Sequence, residues 1–525
     1  MSVLGLTLLA ALSSAPVDEV RHVDASLEFD GELLDHRFVD PDGDGTLSLC
    51  VAVRKKDGTR ELRLHALTRR GFDPEPERTI AVLEDVLAYG FADVRDEPGD
   101  ELLFMTRTGA YSYSLTKDGY RGNILRLATL ELLYNVPDRR ALPYWAYTVK
   151  GGAGNRDLVL LPGRSALAVF GPRRTVEDDS AAEAPDPYEV WARFDGREPT
   201  SWAPDDDEAS ASTSGSGQLE LQIEWRDQQI FLSDAAVSGS LISSGESYQA
   251  PALVDLDGDG RRDLVLLLED GLHVHMASAG GISAVPTRVE SLPDVITGAP
   301  GSADIEFADL NGDRFLDLLV KIESENEGFE NSEMRVLVLL GAEGRLVPEE
   351  PQQVFRFEAG MMRLHVTDAN NDGRPDLLMR KFVLPSMLET VSGLEFELTH
   401  LAYFGQDGRL PFERKPDLNQ TEVYGTQNIG EAIKNRKLVL DCDGDGIPDL
   451  VEVDVKGRIA IRRLKLDSGF FSGDTWELDK SAWKRFDARG AVLSLDVLDV
   501  NDDGLADIVS PGARSLTLLL SSRVR

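Results

Sequence analysis

Asp255-Leu256-Asp257-Gly258-Asp259-Gly260-Arg261-Arg262-Asp263-Leu264-Val265 is the stretch that decides the fold. It places carboxylates at positions 1, 3, 5 and 9 of a short turn, and an apolar run follows at once. Hard cations such as calcium take roughly six to eight oxygen ligands at about 2.3–2.6 Å. Alternate residues of a curled loop can point at one centre, and its glycines adopt conformations that other residues resist. We therefore predict a calcium site, with the backbone carbonyl of Arg261 as a further ligand.

Five further stretches of the chain repeat this pattern. The stretch that begins at residue 441 has Asp at all four positions, those at 309, 368 and 499 have Asn at position 3, and the one at 40 ends in Ser48. The predicted ligands of the six loops are Asp40, Asp42, Asp44, Ser48, Asp255, Asp257, Asp259, Arg261, Asp263, Asp309, Asn311, Asp313, Asp317, Asp368, Asn370, Asp372, Asp376, Asp441, Asp443, Asp445, Asp449, Asp499, Asn501, Asp503 and Asp507. They predict about five or six bound calcium ions.

Two degenerate copies complete the series. Asp93 to Glu101 keeps an acid at positions 1, 5 and 9 but has Arg95 at position 3, and Val149 to Asp157 keeps only the last acid. With these two, the copies begin at residues 40, 93, 149, 255, 309, 368, 441 and 499. A period of about 55 residues indicates a repeat architecture. The long interval after residue 149 contains an insertion with a different composition.

The recurring motif resembles the FG-GAP/VCBS repeats of integrin-α-like, calcium-binding β-propellers, including exported bacterial members. The resemblance covers nearly the whole chain, and 403–410 (YFGQDGRL) resembles the outer hairpin of such a repeat. It implies an all-β fold, a single β-propeller of four-stranded blades, over residues 16–525. Eight motifs favour eight blades, with seven as the alternative if one degenerate unit is irregular.

Each repeat also shows about four short apolar runs bounded by Gly, Asp and Pro, which are strand signals. The C-terminus supplies three of them after residue 491, and residues 22–29 (HVDASLEF) alternate polar and apolar. We predict that this N-terminal strand completes the last blade and closes the ring, which removes open sheet edges.

The loop at 441 also matches the EF-hand pattern, in which the loop lies between two helices. Val439-Leu440 and Leu450-Val451 flank it and Pro448 lies inside it, so strands on both sides are favoured.

Composition narrows the possible partners and location. The net charge of −37 argues against nucleic-acid binding, because phosphate contacts need a basic surface.

Residues 1–15 read as a secretory signal peptide with cleavage near Ala15, and no later run predicts a membrane helix. The polar, acidic and Ser-rich residues 175–218 predict a disordered insertion. Cys50 and Cys442 lie in distant repeats, which argues against a disulfide.

These observations leave two function classes. The first is an extracytoplasmic, monomeric and non-catalytic binding or scaffold propeller for proteins or glycans, located in the periplasm, on the cell surface or secreted. The alternative is a secreted polysaccharide-degrading enzyme, because some rhamnogalacturonan lyases are similar calcium-bearing propellers. Carboxylates bound to calcium are poor general acids, since the cation favours their ionised form. The negative charge of the chain also disfavours a polyanionic substrate. We therefore expect a non-enzymatic protein whose ligand the sequence does not identify.

Overall fold

A computed structural model describes residues 20–41, 46–68, 71–96, 99–115, 124–129, 142–145, 148–149, 156–162, 167–172, 188–194, 220–226, 229–235, 252–268, 271–278, 281–283, 285–297, 303–323, 331–342, 345–369, 372–384, 395–406, 410–425, 436–438, 441–445, 447–454, 456–469, 473–488, 490–501 and 503–523. Within these ranges the regular structure is β-strand apart from one short helix, Asp294–Thr297 (α1).

The first half of the described chain forms three sheets and a hairpin after an initial strand, Val20–Glu28 (β1). Blade I contains Glu32–Val39 (β2), Ser48–Arg54 (β3), Arg60–Thr68 (β4), Gly71–Phe72 (β5) and Arg78–Val82 (β6). Blade II contains Val86–Ala92 (β7), Glu101–Thr106 (β8), Gly109–Tyr113 (β9) and Ile124–Thr129 (β10). Blade III contains Thr148–Val149 (β11), Leu158–Pro162 (β12), Leu167–Pro172 (β13) and Tyr188–Phe194 (β14). The hairpin is Glu220–Arg226 (β15) and Gln229–Ala235 (β16).

The second half forms five sheets and two hairpins. Blade IV contains Ala252–Val254 (β17), Asp263–Leu268 (β18), Gly271–His275 (β19) and, after the hairpin Ala277–Ser278 (β20) and Gly281–Ile282 (β21), Arg288–Glu290 (β22). Blade V contains Ala303–Ala308 (β23), Asp317–Glu323 (β24), Ser332–Leu339 (β25) and Gln353–Ala359 (β26). Blade VI contains Met361–Thr367 (β27), Asp376–Val383 (β28), Glu395–Tyr403 (β29) and Leu418–Gly425 (β30). Blade VII contains Arg436–Leu438 (β31), Leu450–Val453 (β32), Arg458–Arg462 (β33) and, after the hairpin Leu464–Gly469 (β34) and Gly473–Leu478 (β35), Lys484–Asp487 (β36). Blade VIII contains Asp496–Leu498 (β37), Asp507–Pro511 (β38), Ser515–Arg523 (β39) and β1.

Each blade is an antiparallel meander, and the position of a strand in it explains its composition. The second strands have central apolar runs that are buried on both faces, as in β3 (SLCVAVR) and in residues 318–320 of β24. The outer strand β26 instead alternates buried and exposed residues, because one of its faces meets solvent.

Successive blades share hydrophobic cores, and these cores close into a ring. One cluster joins blades I and II, and a larger one joins II, III and IV. Further clusters join IV to V, V to VI, VI to VII and VII to VIII, and another joins VIII back to I. Each fully buried Leu or Val stabilises the fold by roughly 1.5–3 kcal/mol. Because each of these clusters contains residues of adjacent blades, packing between neighbouring sheets contributes strongly to the stability of the ring.

The arrangement confirms a propeller of four-stranded blades. Seven sheets have four strands each, the number given as the alternative. The five-stranded blade I contains the same path, β2-β3-β4 with β6 paired to β4, and adds the short β5. When blade I is counted, the ring among the described residues has eight sheets, the number preferred from the motifs.

The predicted closure by the N-terminal strand is also confirmed. β1 pairs antiparallel with β39 over its whole length, from Val20 opposite Arg523 to Glu28 opposite Ser515. The last blade therefore takes three strands from the C-terminus and its outer strand from the N-terminus.

Three other expectations concern segments outside the blade cores. Tyr188–Phe194 lies within the predicted disordered insertion 175–218 but forms β14, so that interpretation was wrong for these residues. They pair with β13, which needs an outer partner. The remainder of the insertion and residues 1–15 lie outside the described residues. Among the described residues, the structure contains no helix with the length and apolar character needed to cross a bilayer.

Candidate metal-binding loops

Five aspartate-rich loops, which we call the aspartate loops, occupy the same place in successive blades. They begin at residues 255, 309, 368, 441 and 499 and join the first strand to the second in blades IV to VIII. In four of them, position 9 is the first residue of the second strand. β31 and β32 flank the loop of blade VII, which confirms strands rather than the helices of an EF-hand.

The carboxylate at position 9 fastens each aspartate loop to its blade. Its Oδ2 accepts a hydrogen bond of 2.8–3.0 Å from the backbone N–H of position 2. In four loops its Oδ1 accepts a second bond, of 2.6–2.8 Å, from a backbone N–H near the end of the third strand or just after it. The residues that donate this second bond are Ala277, Gly341, Gly405 and Ser521. Position 9 thus joins the start of the loop to two strands of the blade.

The carboxylate at position 1 folds the loop back on itself. In the loops at 255, 309, 368 and 499, its oxygens accept backbone N–H bonds from positions 5 and 6 at 2.8–3.2 Å. Position 6 has a positive φ in each, from 73° to 85°, and is Gly in three and Arg314 in the fourth. Gly258 and Gly260 thus adopt the conformations expected from the sequence.

Among the described residues, two loops bring three carboxylates together. In the loop at 255, ligand atoms of Asp255, Asp257 and Asp263 lie within 4.8 Å of one another. In the loop at 441, the same holds for Asp441, Asp443 and Asp449, whose exposed fractions are 3%, 3% and 1%. Buried carboxylates are costly unless paired with positive charge. An all-oxygen donor set of this kind fits a hard cation such as calcium.

One family comparison covers part of this region. The sequence profile of the FG-GAP-like repeat family matches residues 255–320, which include the aspartate loops of blades IV and V. This match covers one repeat, and the ring of blades extends the same architecture over the described chain.

Residues 255–320 match an FG-GAP-like repeat, and the ring of four-stranded blades supports an FG-GAP β-propeller.

No curated protein matches the chain.

Burial raises the pKa of several position-9 carboxyl groups in the FG-GAP propeller. The pKa values of Asp317 and Asp507 are raised to about 7, first by burial and then by neighbouring carboxylates of their own loops, against two backbone hydrogen bonds that lower them. Burial is also the main reason why the pKa of Asp263 is raised and that of Asp449 is raised well above its usual range. A bound cation would favour the ionised forms of these groups.

The structure places most of the predicted ligands in these loops but leaves three undescribed. Asp42, Asp44 and Asn370 lie outside the described residues. Of the first loop, Asp40 follows β2 and Ser48 begins β3. In the loop at 309, Asn311 accepts a bond from the Asp313 N–H at 2.9 Å, as the Asp equivalents do elsewhere.

The two degenerate loops of the FG-GAP propeller are held by protein groups. Arg156 contacts Asp93 through Nη1 and Asp96 Oδ1 through Nη2, the latter at 2.7 Å. Asp157 Oδ2 accepts a 2.9 Å bond from the Asp93 N–H, which joins blade III to blade II. Glu101, at position 9, accepts two backbone N–H bonds of 2.9 and 3.0 Å. The guanidinium of Arg156 thus supplies the positive charge that a metal ion would supply elsewhere.

Neighbouring loops also touch directly. The Ala506 N–H donates to the Asp441 carbonyl at 2.9 Å, and the Asp157 N–H donates to the Asp93 carbonyl at 2.8 Å. In the same way, the Asp100 N–H donates to the Pro41 carbonyl at 3.1 Å. The loops therefore contribute to contacts between blades I and II, II and III, and VII and VIII.

Sequence reasoning missed the cations that approach these loops from elsewhere in the chain. Arg463 Nε lies 2.6 Å from Asp443 Oδ2, and Arg156 comes from 63 residues beyond Asp93. Motif spacing does not reveal either pair, because both depend on strand register and on how adjacent blades meet. The available signal for Arg463 was a basic residue directly after the third strand of its repeat.

Proposed function

We propose that the aspartate loops bind calcium and that the protein is an extracytoplasmic, non-catalytic binding or scaffold propeller for a protein or glycan ligand. The observation that carries the calcium proposal is the cluster of Asp441, Asp443 and Asp449. These three carboxylates are buried with ligand atoms within 4.8 Å of one another. The guanidinium of Arg463 forms an ion pair with Asp443 of this cluster, and a bound cation would compensate the charge of several buried carboxylates at once.

The loop geometry supports a structural role for the cations. Position 9 of each aspartate loop accepts backbone hydrogen bonds, so its carboxylate is already engaged in fastening strands. Any ion that binds the folded loop and not the unfolded chain stabilises the propeller by mass action. Bound calcium would hold carboxylates in the ionised form, which disfavours a general-acid role.

The charge and the loop chemistry also support the proposed location. Extracellular calcium modules bind the ion with Kd values of about 10⁻⁴–10⁻³ M, which suits exposed loops in a calcium-rich space. A net charge of −37 is reduced when several calcium ions bind, and the remainder favours solubility.

A count of bound calcium tests the first part of the proposal. Purified protein dialysed against millimolar calcium should retain about five or six ions per chain by elemental analysis. Asp309→Asn should lower the count by one. Asp24→Asn, which changes an exposed carboxylate on β1, is the matched control and should leave the count unchanged. Absence of bound calcium in the wild type would refute the calcium proposal.

Ligand and activity assays in calcium test the second part. We expect retention of a protein or glycan in a binding screen and no release of unsaturated sugars from acidic polysaccharides. Appearance of such products, measured by their ultraviolet absorbance, would contradict a non-catalytic role.

A further inference from the structure

Arg463 stands at a position where the other aspartate loops have an apolar residue. The register of β32 with β33 pairs Leu450 with Arg462, so the next step places Arg463 opposite Asp449. In blades IV, V, VI and VIII, the strand registers place an apolar residue opposite position 9. These residues are Met276, Leu340, Phe404 and Leu520.

Arg463 uses this position to contact the carboxylate cluster. Its Nε lies 2.6 Å from Asp443 Oδ2, and its guanidinium carbon lies 4.5 Å from the centre of the Trp483 ring. The Asp443 side chain is 3% exposed, whereas that of Arg463 is 31% exposed. The guanidinium can therefore leave the carboxylate for solvent, and the carboxylate itself cannot.

A calcium ion and a guanidinium compete for the same oxygen and repel each other at short range. Four carboxylates in the loop at 441 would otherwise predict tight binding, as the loop at 255 also does. We propose that Arg463 is a tethered counter-cation that occupies Asp443 in the calcium-free protein and must move away when calcium binds. This inference rests on the proposed function, and it makes the loop of blade VII weaker than its carboxylate count indicates.

Trp483 is placed to report this displacement. Lys484 Nζ lies 4.1 Å from the centre of the same ring and donates a 2.6 Å hydrogen bond to the Val20 carbonyl of β1. When Arg463 moves, Lys484 therefore stays over the Trp483 ring, because it is held by its hydrogen bond to β1. Loss of the guanidinium from its ring changes the surroundings of the indole, and thus its fluorescence.

The test is a calcium titration of the full chain in which binding is measured by calorimetry and, separately, by tryptophan fluorescence. Arg463→Gln should tighten one class of site about tenfold, because a charge-assisted ion pair no longer opposes the metal. Asp445→Asn should remove that class of site and identify it with the loop at 441. Trp483→Phe should abolish the fluorescence change that accompanies its filling.

Arg462→Gln is the matched control. Arg462 is the preceding arginine, and its Nη1 pairs with Glu422 at 3.2 Å instead of with an aspartate loop. It should leave calcium affinity unchanged. Unchanged or weaker binding in Arg463→Gln, with the other loops still binding calcium, would overturn the inference alone. Absence of calcium binding at every loop would overturn the proposed function and the inference with it.

Discussion

The position-9 carboxylate combines two properties: it accepts hydrogen bonds that hold the loop, and it places a carboxyl group in the buried part of the blade. It accepts hydrogen bonds from backbone N–H groups of its own loop and of the end of the third strand or the residues just after it, and it is completely buried in blades IV, V, VI and VIII. Its hydrogen bonds form without a metal ion. A bound cation would in addition stabilise its ionised form. Some of its contribution to stability should therefore persist in chelator.

Asp317→Ala tests this at one residue. The change leaves the buried N–H groups of Leu310 and Gly341 without their acceptor, which should cost about 3 kcal/mol of unfolding free energy even in chelator. The measurement is denaturant unfolding of both proteins in chelator. Asp24→Ala, at an exposed position on β1, is the control and should cost little. A negligible loss for Asp317→Ala would contradict the structural role.

No metal is proposed for the degenerate loop of blade II, and its Glu101 gives a prediction about how stability depends on pH. Burial raises the pKa of Glu101 to about 7 from a usual value of 4.5. A raised carboxyl pKa means that the folded state binds the proton more tightly, so this contribution to stability is complete below about pH 4.5 and is lost as pH rises through about 7. Glu101→Gln should remove this pH dependence, which is on the order of 2–3 kcal/mol.

Denaturant unfolding between pH 5 and 8 in chelator measures the difference. The free energy of Glu101→Gln should fall less with rising pH than that of the wild type, and the exposed Glu28→Gln should follow the wild type. Parallel curves for wild type and Glu101→Gln would show that the carboxyl group is not perturbed.

At the scale of the element, the aspartate loop is a turn that needs a left-handed residue at position 6. Gly260, Gly373 and Gly504 supply it with φ of 84°, 85° and 78°, and Arg314 adopts φ of 73° at the same place. No atom lies within 4 Å of a Cβ built on Gly373, so a substitution there meets backbone strain and no steric contact. The left-handed conformation costs a non-glycine residue about 1–2 kcal/mol.

Gly373→Ala should therefore lower the free energy of unfolding by about 1 kcal/mol. Arg314→Ala is the matched control, because that position already bears a side chain, and should change stability by only a few tenths of a kcal/mol. Denaturant unfolding in chelator compares the two. Equal losses would mean that loop conformation does not set the cost.

The sequence largely predicted the strands and the closure of the ring by β1, and it did not predict the pairing of the strand inside the insertion. Turn residues predicted about four strands in each repeat and alternation placed the N-terminal strand β1, because burial on one or two faces leaves a local pattern. The strand Tyr188–Phe194 was missed, because a polar composition surrounds it and its pairing with β13 is not a local property.

At the scale of the molecule, the repeat period predicted stacked repeats that bury their apolar faces against their neighbours, and the resemblance to FG-GAP repeats implied that they form a ring. The candidate ligands were found because all the donors of a loop lie within nine residues. Arg156 and Arg463 were not found, because they reach their carboxylates across a blade boundary and across a strand pair. Interactions between loops and distant cations therefore require the structure.

The measurement that tests the central claim most directly is a thermal melt of the purified protein in millimolar calcium and again in chelator. Several occupied loops each add to stability by mass action, so we expect calcium to raise the melting temperature by roughly 10 °C or more. A melting temperature that is the same in both conditions would contradict calcium binding by the aspartate loops.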